Sequence, residues 1–186
     1  GKRTIFNILG PLLNPVECER QIIGVYDKKL LNKVAEVLIK MGTEKAWVVV
    51  GSNYRPKREE GFKNYEIYDE IDYYDELTTF GINYIAEVNK KKIKTFEIDP
   101  FEMRICYENT KMHYQAYNVL QSSHRILKIL KKEAPNPTHV LLNCAAALII
   151  ADRVKNLKEG MDMANKAIKS GDALKKLNDL IKLTNS

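Results

Sequence analysis

Cysteine is scarce in this 186-residue chain. Cys18, Cys106 and Cys144 are the only three, and no two share a CxxC spacing. That argues against a disulfide framework and a structural zinc site and favours a reducing, cytoplasmic compartment. We read the three as small buried apolar residues. Long apolar runs are also missing. The longest, Ala46–Gly51 and Ala145–Ala151, are core-length and far short of the roughly 20 residues of a membrane span, so no membrane role is expected. The amino-terminal stretch does not have the form of a signal peptide. Gly-x-Ser-x-Gly, Walker and GxGxxG patterns are absent. The three histidines, His113, His124 and His139, share no metal-like spacing and read as surface or helix residues. No aromatic residue lies between Arg153 and Lys182, where eight basic residues stand against four acidic ones. Without rings to stack on bases, that stretch is a solvated helical face, and no nucleic-acid partner is expected.

What is present is ordinary for a globular protein: 45% hydrophobic and 29% charged residues, with a formal net charge of +6. The mild basic excess suits an anionic ligand. The chain starts at Gly1 and enters a turn-forming segment with no preceding element, so a fragment of a longer protein and a naturally short protein are both open readings.

Local patterns give an outline. The two prolines and Gly10 limit the first segment to a short helical turn before Gly10. Gln21–Tyr26 is an apolar run typical of a buried strand. Lys29–Met41 carries apolar residues at helical spacing and stops at Gly42. Lys45–Gly51 is a second apolar strand. Strand, helix, strand implies a parallel pair with a crossover, and binding loops at the carboxyl ends near Asp27 and Gly51. Residues 52–66 read as a long surface loop, and 66–76 are acidic and aromatic. Ile82–Val88 and Ile93–Ile98 alternate around Asn89–Lys92 as a hairpin. Helices are expected over 117–133, from a Thr138 cap through about Arg153, over Leu157–Lys169 and over Asp172–Leu183.

The opening RTIFNILGPLLNP closely resembles a signature of the anthranilate phosphoribosyltransferase family. Arg20–Asp27 (RQIIGVYD), Tyr74–Gly81 (YDELTTFG), Val140–Ala147 (VLLNCAAA) and Leu157–Leu174 are similar to later blocks of that family, in order. The match covers nearly the whole chain apart from about 52–73 and 100–125. It implies an α/β fold with a mostly parallel central sheet flanked by helices. It also implies that residues 1–18 are the remnant of a small helical domain and its interdomain loop, with 19–186 forming the α/β domain. The implied activity is transfer of phosphoribose from phosphoribosyl pyrophosphate (PRPP) to the amine of anthranilate, with magnesium, in tryptophan biosynthesis, usually in a homodimer. The family's glycine-rich phosphate loop, its Lys-His-Gly-Asn segment and an arginine that contacts the aromatic acid have no counterpart here. The resemblance is therefore to a C-terminal half, with the missing part expected in cis or in trans. The family's Gly-Gly-Asp and following Asn are replaced by Ala116, Tyr117, Asn118 and Ser122, and extra length lies between Gly51 and Asp75.

On this resemblance the candidate metal ligands are Asp75 and Glu76. Adjacent carboxylates suit a hard cation that also takes phosphate oxygens and keeps waters. The choice of this pair rests on Leu77–Gly81 following it as in the family, with Asp69-Glu70 as the alternative. The candidate substrate-binding pair is Gly10 and Pro11, a glycine that lets a flat ring approach the backbone and a rigid apolar neighbour. Asn7 and Asn14 are expected to orient that loop. Arg3 and Arg20 carry forks suited to phosphate or carboxylate, with a surface salt bridge as the plainer reading. No covalent nucleophile is evident. Two other readings stay open: another enzyme of the same fold, such as a nucleoside phosphorylase, and a non-catalytic binding subunit docking through Tyr54, Phe62, Tyr65, Tyr68, Tyr73 and Tyr74.

Overall fold

The computed structural model describes residues 6–14, 18–54, 71–105, 118–134 and 137–185. Arg3, the Asn7 side chain, Phe62, Tyr65, Tyr68, Asp69-Glu70, Cys106, His113, Ala116 and Tyr117 lie outside them. The chain divides into two compact units, Gly1–Tyr107 and Glu108–Ser186.

The first unit contains helix α1 (Phe6–Leu12), strand β1 (Arg20–Gly24), a 3-10 turn (Lys28–Leu30), helix α2 (Leu31–Lys40) and strands β2 (Lys45–Ser52), β3 (Tyr73–Tyr74), β4 (Asn83–Asn89) and β5 (Lys92–Ile98). The strand–helix–strand reading holds, since β1 and β2 pair in parallel from Arg20↔Lys45 to Gly24↔Val49. Leu31, Val34, Ala35 and Leu38 form the buried stripe of α2. They join Ala46, Val48 and Val50 of β2 and Tyr84, Ala86 and Val88 of β4 in one core. The alternate residues Trp47, Val49 and Ile85 are buried as well, which explains why β2 is apolar without interruption. Trp47 also donates its indole N–H to Glu87, its cross-strand neighbour, at 3.0 Å.

The sheet departs from expectation in direction. Its order is β1-β2-β4-β5, with β3 on β2. The β2–β4, β4–β5 and β2–β3 pairs are all antiparallel. The sheet is therefore mixed rather than mostly parallel. Parallel pairing needs a crossover that carries the chain back to the starting end. Among the described residues only β1 and β2 are separated by such a helix; β4 starts at the end where β2 finishes. The hairpin is correct. Its turn residues Lys90 and Lys91 both take positive φ, 48° and 63°, the backbone of a two-residue primed turn.

Helix α1 also departs from the reading: it continues through Gly10 and Pro11. In so short a helix the proline forfeits little hydrogen bonding. Ile8 and Leu12 hold α1 against the core of this unit.

The second unit consists of α3 (Val119–Leu130), α4 (Thr138–Ile150), α5 (Leu157–Ser170) and α6 (Asp172–Thr184). Asn118, at the altered family triplet, caps α3 by accepting from Gln121 N–H at 2.9 Å. Pro137, not Thr138, occupies the α4 cap, and Thr138 is the first helical residue. The helix stops at Ile150, short of Arg153, where Asp152 turns to φ 54°. Buried Leu141, Leu142, Ala145, Ala146 and Ile150 define one side of α4. Cys144 falls off that stripe and is exposed, and Cys18 is only half-buried, so these two cysteines do not serve as buried apolar residues. Gly160 brings α5 against α4: a methyl there would lie 2.7 Å from both Cα and Cβ of Ala145. Asn156 and Glu159 form a reciprocal cap on α5, and Gly171 at φ +87° separates α5 from α6.

Burial pushes the imidazole of His139, in the first turn of α4, down to about 4. The unfolded chain binds this proton near pH 6.5 and the folded chain only near 4. Stability is therefore lost as pH falls through that window and changes no further, on this account, below it. With the side chain partly exposed, we expect the loss to be on the order of 1–2 kcal/mol. His139→Gln should remove that share of the acid sensitivity, read as the difference between variant and parent unfolding free energies at pH 7 and pH 4.5. Equal sensitivities would contradict the assignment.

Candidate metal and substrate site

Parallel strands place their carboxyl ends together. Here those ends are Gly24 of β1 and Gly51–Ser52 of β2, and the chain between β3 and β4 lies against them. A methyl on Gly24 would sit 1.6 Å from the Asp75 carbonyl oxygen, and one on Gly51 would sit 2.4 Å from the Glu76 carbonyl oxygen. Reciprocally, a methyl on Gly81 would sit 2.1 Å from the Ser52 carbonyl oxygen. All three contacts are backbone on backbone, and only glycine permits them. The acidic pair is thus mounted directly on the ends of the two parallel strands.

The loop following the pair is anchored from below. Leu77 and Thr79 are fully buried, and the Phe80 ring meets Tyr74 edge-on at 5.3 Å. Asn83, the first residue of β4, is also fully buried. Its Oδ1 accepts from Thr78 N–H at 2.6 Å, and its Nδ2 donates to Thr78 O at 2.9 Å, Gly81 O at 3.3 Å and Ile98 O at 3.4 Å. Thr78 Oγ1 donates to Ser52 O at 3.2 Å, and Ser52 Oγ donates to Ile82 O at 2.7 Å.

Upstream, Asn53 and Asp72 form a second junction. Asn53 N–H donates to Asp72 O at 3.2 Å, and Asp72 N–H donates to Asn53 Oδ1 at 2.9 Å. The sequence pattern puts Ser52 and Asn53 in a surface loop, yet they are 0% and 1% exposed. They belong to the sheet end because these bonds satisfy them there. Tyr54, the next residue, is exposed.

Asp75 and Glu76 themselves keep exposed surface. The Glu76 carboxyl is raised above its ordinary value, first by desolvation and then by the Asp75 charge. An adjacent cation would relieve the second effect. Among the described residues no three His, Cys, Asp or Glu side chains cluster into a metal cage. A two-carboxylate set fits magnesium, which commonly binds through one or two carboxylates together with substrate phosphates and waters. The Lys28 ammonium lies 3.3 Å from the Tyr84 ring centroid and 3.7 Å from Glu97 Oε1. The Tyr84 hydroxyl is pushed up to about 12, chiefly by burial and then by Glu97, Tyr73 and Tyr54, partly offset by a bond with Ser52.

Gly10 and Pro11 are exposed on α1, and a methyl on Gly10 would meet nothing within 4 Å. Asn14 Nδ2 reaches Cys18 Sγ at 3.6 Å. Arg20 stands at the opposite end of β1 from Gly24 and pairs with Glu44 at 3.3 Å on the surface, the plainer of its two readings. Asn83, Ser52 and Thr78 escaped the sequence reading. The available signal was an asparagine opening an apolar strand, GINYIA, where a buried amide must find several partners.

Residues 1–57 and 67–174 match the profile of the glycosyl transferase family, a/b domain. The anthranilate phosphoribosyltransferase of Thermoanaerobacter sp. (strain X514) is 39% identical over 182 residues, covering 97% of this chain and 48% of that protein. That of Petrotoga mobilis is 37% identical over 186 residues, covering 100% and 48%. The chain spans about half the length of these curated relatives. The crystal structure of anthranilate phosphoribosyltransferase from Thermus thermophilus superposes with a TM-score of 0.75 at 25% identity, covering 100% of this chain and 49% of that one. The Saccharomyces cerevisiae enzyme in complex with PRPP and Mg gives 0.70 at 25% identity, covering 96% and 46%. With a profile match running through both units and interrupted between residues 57 and 67, this chain belongs to the glycosyl transferase family, a/b domain.

Proposed function

We propose that this chain forms the C-terminal α/β part of an anthranilate phosphoribosyltransferase, which joins the phosphoribose of PRPP to the anthranilate amine and releases pyrophosphate. The observation that carries the reading is the acidic pair held by glycine contacts at the carboxyl ends of two parallel strands, in a chain 39% identical to such an enzyme over 182 residues. Asp75 and Glu76 would hold magnesium. That ion supplies neutralisation of the charge that builds on the departing pyrophosphate. The role of Gly24 and Gly51 is to fix the backbone that carries the two carboxylates, so little reorganisation is needed as charge develops. Gly10 and Pro11 line the acceptor channel, with open space over Gly10 for a flat ring. The remainder of the reaction is orientation, bringing the amine to ribose C1, and it needs no covalent nucleophile.

The glycine-rich phosphate loop comes from chain outside this sequence, in the same polypeptide or a partner, and the complete protein acts as a homodimer in the cytoplasm. Support for the substrates comes from relatives solved in complex with PRPP and Mg and with 4-fluoroanthranilate. No helix among the described residues is long and apolar enough to cross a membrane.

The test uses the full natural polypeptide. Loss of anthranilate fluorescence and release of pyrophosphate are expected only when PRPP, anthranilate and magnesium are present together. Phosphorolysis of a nucleoside without anthranilate consumption would replace this reading with the related phosphorylase one. Inactivity in both assays, with no binding of PRPP, would favour a binding subunit.

A further inference from the structure

We propose that Asn83 is a positioning residue for the acidic pair, setting the direction in which Asp75 and Glu76 present their carboxylates. The inference rests on the reading of that pair as the magnesium site.

The side-chain amide of Asn83 pairs with both peptide groups of Thr78, accepting from its N–H at 2.6 Å and donating to its C=O at 2.9 Å. This is the pattern one strand residue offers another, here supplied by a side chain. The same Nδ2 faces Gly81 O and Ile98 O, so a single amide ties both ends of the 78–81 turn and the last residue of β5. Thr78 lies two residues after Glu76. A methyl on Gly51 would meet Glu76 O at 2.4 Å, Thr78 Cγ2 at 2.5 Å and Asn83 Oδ1 at 3.1 Å. Asn83, Thr78 and the Glu76 backbone therefore converge on the space left open by one glycine.

The Asp75–Glu76 backbone is in this way confined from two directions. Gly24 and Gly51 set how closely it approaches the strand ends, and Asn83 sets where the chain goes next. Full burial of Asn83 makes the geometry specific, because an amide that loses its partners there has no water to replace them. The bonds of Asn83 reach the acidic pair through Thr78. Partners standing behind metal-binding carboxylates commonly change metal affinity or activity by about 10–100-fold when removed.

The experiment compares the full polypeptide with its Asn83→Asp and Asn83→Ala variants, measuring initial rates with PRPP and anthranilate across a magnesium titration. Asn83→Asp keeps the volume and the acceptor for Thr78 N–H but sets an oxygen against three carbonyls. We expect half-saturation by magnesium to rise by about tenfold or more, with kcat largely restored at saturating magnesium and KM for anthranilate unchanged. A uniform fall in kcat with an unshifted magnesium titration would mark a structural role and overturn the proposal. A double variant, Asp75→Asn with Glu76→Gln, separates the two ideas. If it leaves the magnesium titration unshifted, the reading of the acidic pair fails. If it shifts the titration and the folded Asn83 variants do not, only the role of Asn83 fails. Hydrogen exchange of the unaltered protein gives a check independent of substitution. The Thr78 amide should exchange with the slow core of β4, and exchange at the rate of an exposed loop would overturn the proposal as well.

Discussion

Gly24→Ala is expected to displace the acidic pair and to cost about 3 kcal/mol of stability. The added methyl would fall 1.6 Å from the Asp75 carbonyl oxygen, 2.4 Å from its carbon and 3.1 Å from its Cα. All three atoms are backbone, so no side-chain rotation relieves the overlap. Either β1 or the 75–82 loop has to move. β1 is held along its length by β2, whereas the loop has exposed surface at Asp75 and Glu76, so the loop is the part expected to yield. The consequence is twofold: a lower unfolding midpoint, and a magnesium requirement raised by about tenfold, equivalent to about 1.4 kcal/mol. Unaltered values for both measurements would show that the contact tolerates a methyl and would remove this glycine from the account of the site.

Asp75→Asn combined with Glu76→Gln is expected to separate function from stability. The substitutions preserve shape and remove the two charges. In the proposed reaction they should lower kcat/KM by about 100-fold or more at fixed magnesium, or about 2.7 kcal/mol of transition-state stabilisation. Folding should not suffer. The Glu76 carboxyl sits under a desolvation penalty and the like charge of Asp75, and the double amide relieves both. The unfolding midpoint is therefore expected to hold or rise, the behaviour of a site kept for function against local stability. A variant that loses stability while keeping its activity and magnesium titration would show the pair to be a structural element.

The parts of this fold that could be read from sequence are those whose periodicity reports burial. The KAWVVVG run is apolar throughout because β2 is buried on both faces, whereas QIIGVY follows β1, where Ile23 and Val25 are buried and their neighbours are half-buried. The stripe of α2 is visible because one side meets that sheet. The 89–92 turn stands out because polarity breaks two alternating runs. Strand direction is not encoded in any of these patterns, so the antiparallel placement of β4 against β2 was missed. It depends on which end of the sheet the chain re-enters. The α4 boundaries failed for local reasons. Thr138 is a good capping residue, but Pro137 already stands at the cap, and the stop comes from a positive φ at Asp152 rather than from a glycine.

The site was legible to a smaller extent. Asp75 and Glu76 are one acidic pair among several in an acidic stretch, and the family resemblance, not their chemistry alone, separated them from Asp69-Glu70. The glycine contacts were invisible, because closeness between Gly24 and Asp75 is a tertiary fact between residues far apart in the chain. Asn83 was invisible because a single buried amide produces no period.

The junction of Asn53 with Asp72 has a consequence for how this chain tolerates changes of length. The two residues close the base of the intervening segment by backbone and side-chain hydrogen bonds, and the unmatched residues 58–66 of the family profile fall inside it. With the ends tied, doubling a loop adds only about 0.6 kcal/mol of closure entropy. Changes of length between 54 and 71 are therefore expected to leave Asp75 and Glu76 in register with the strand ends.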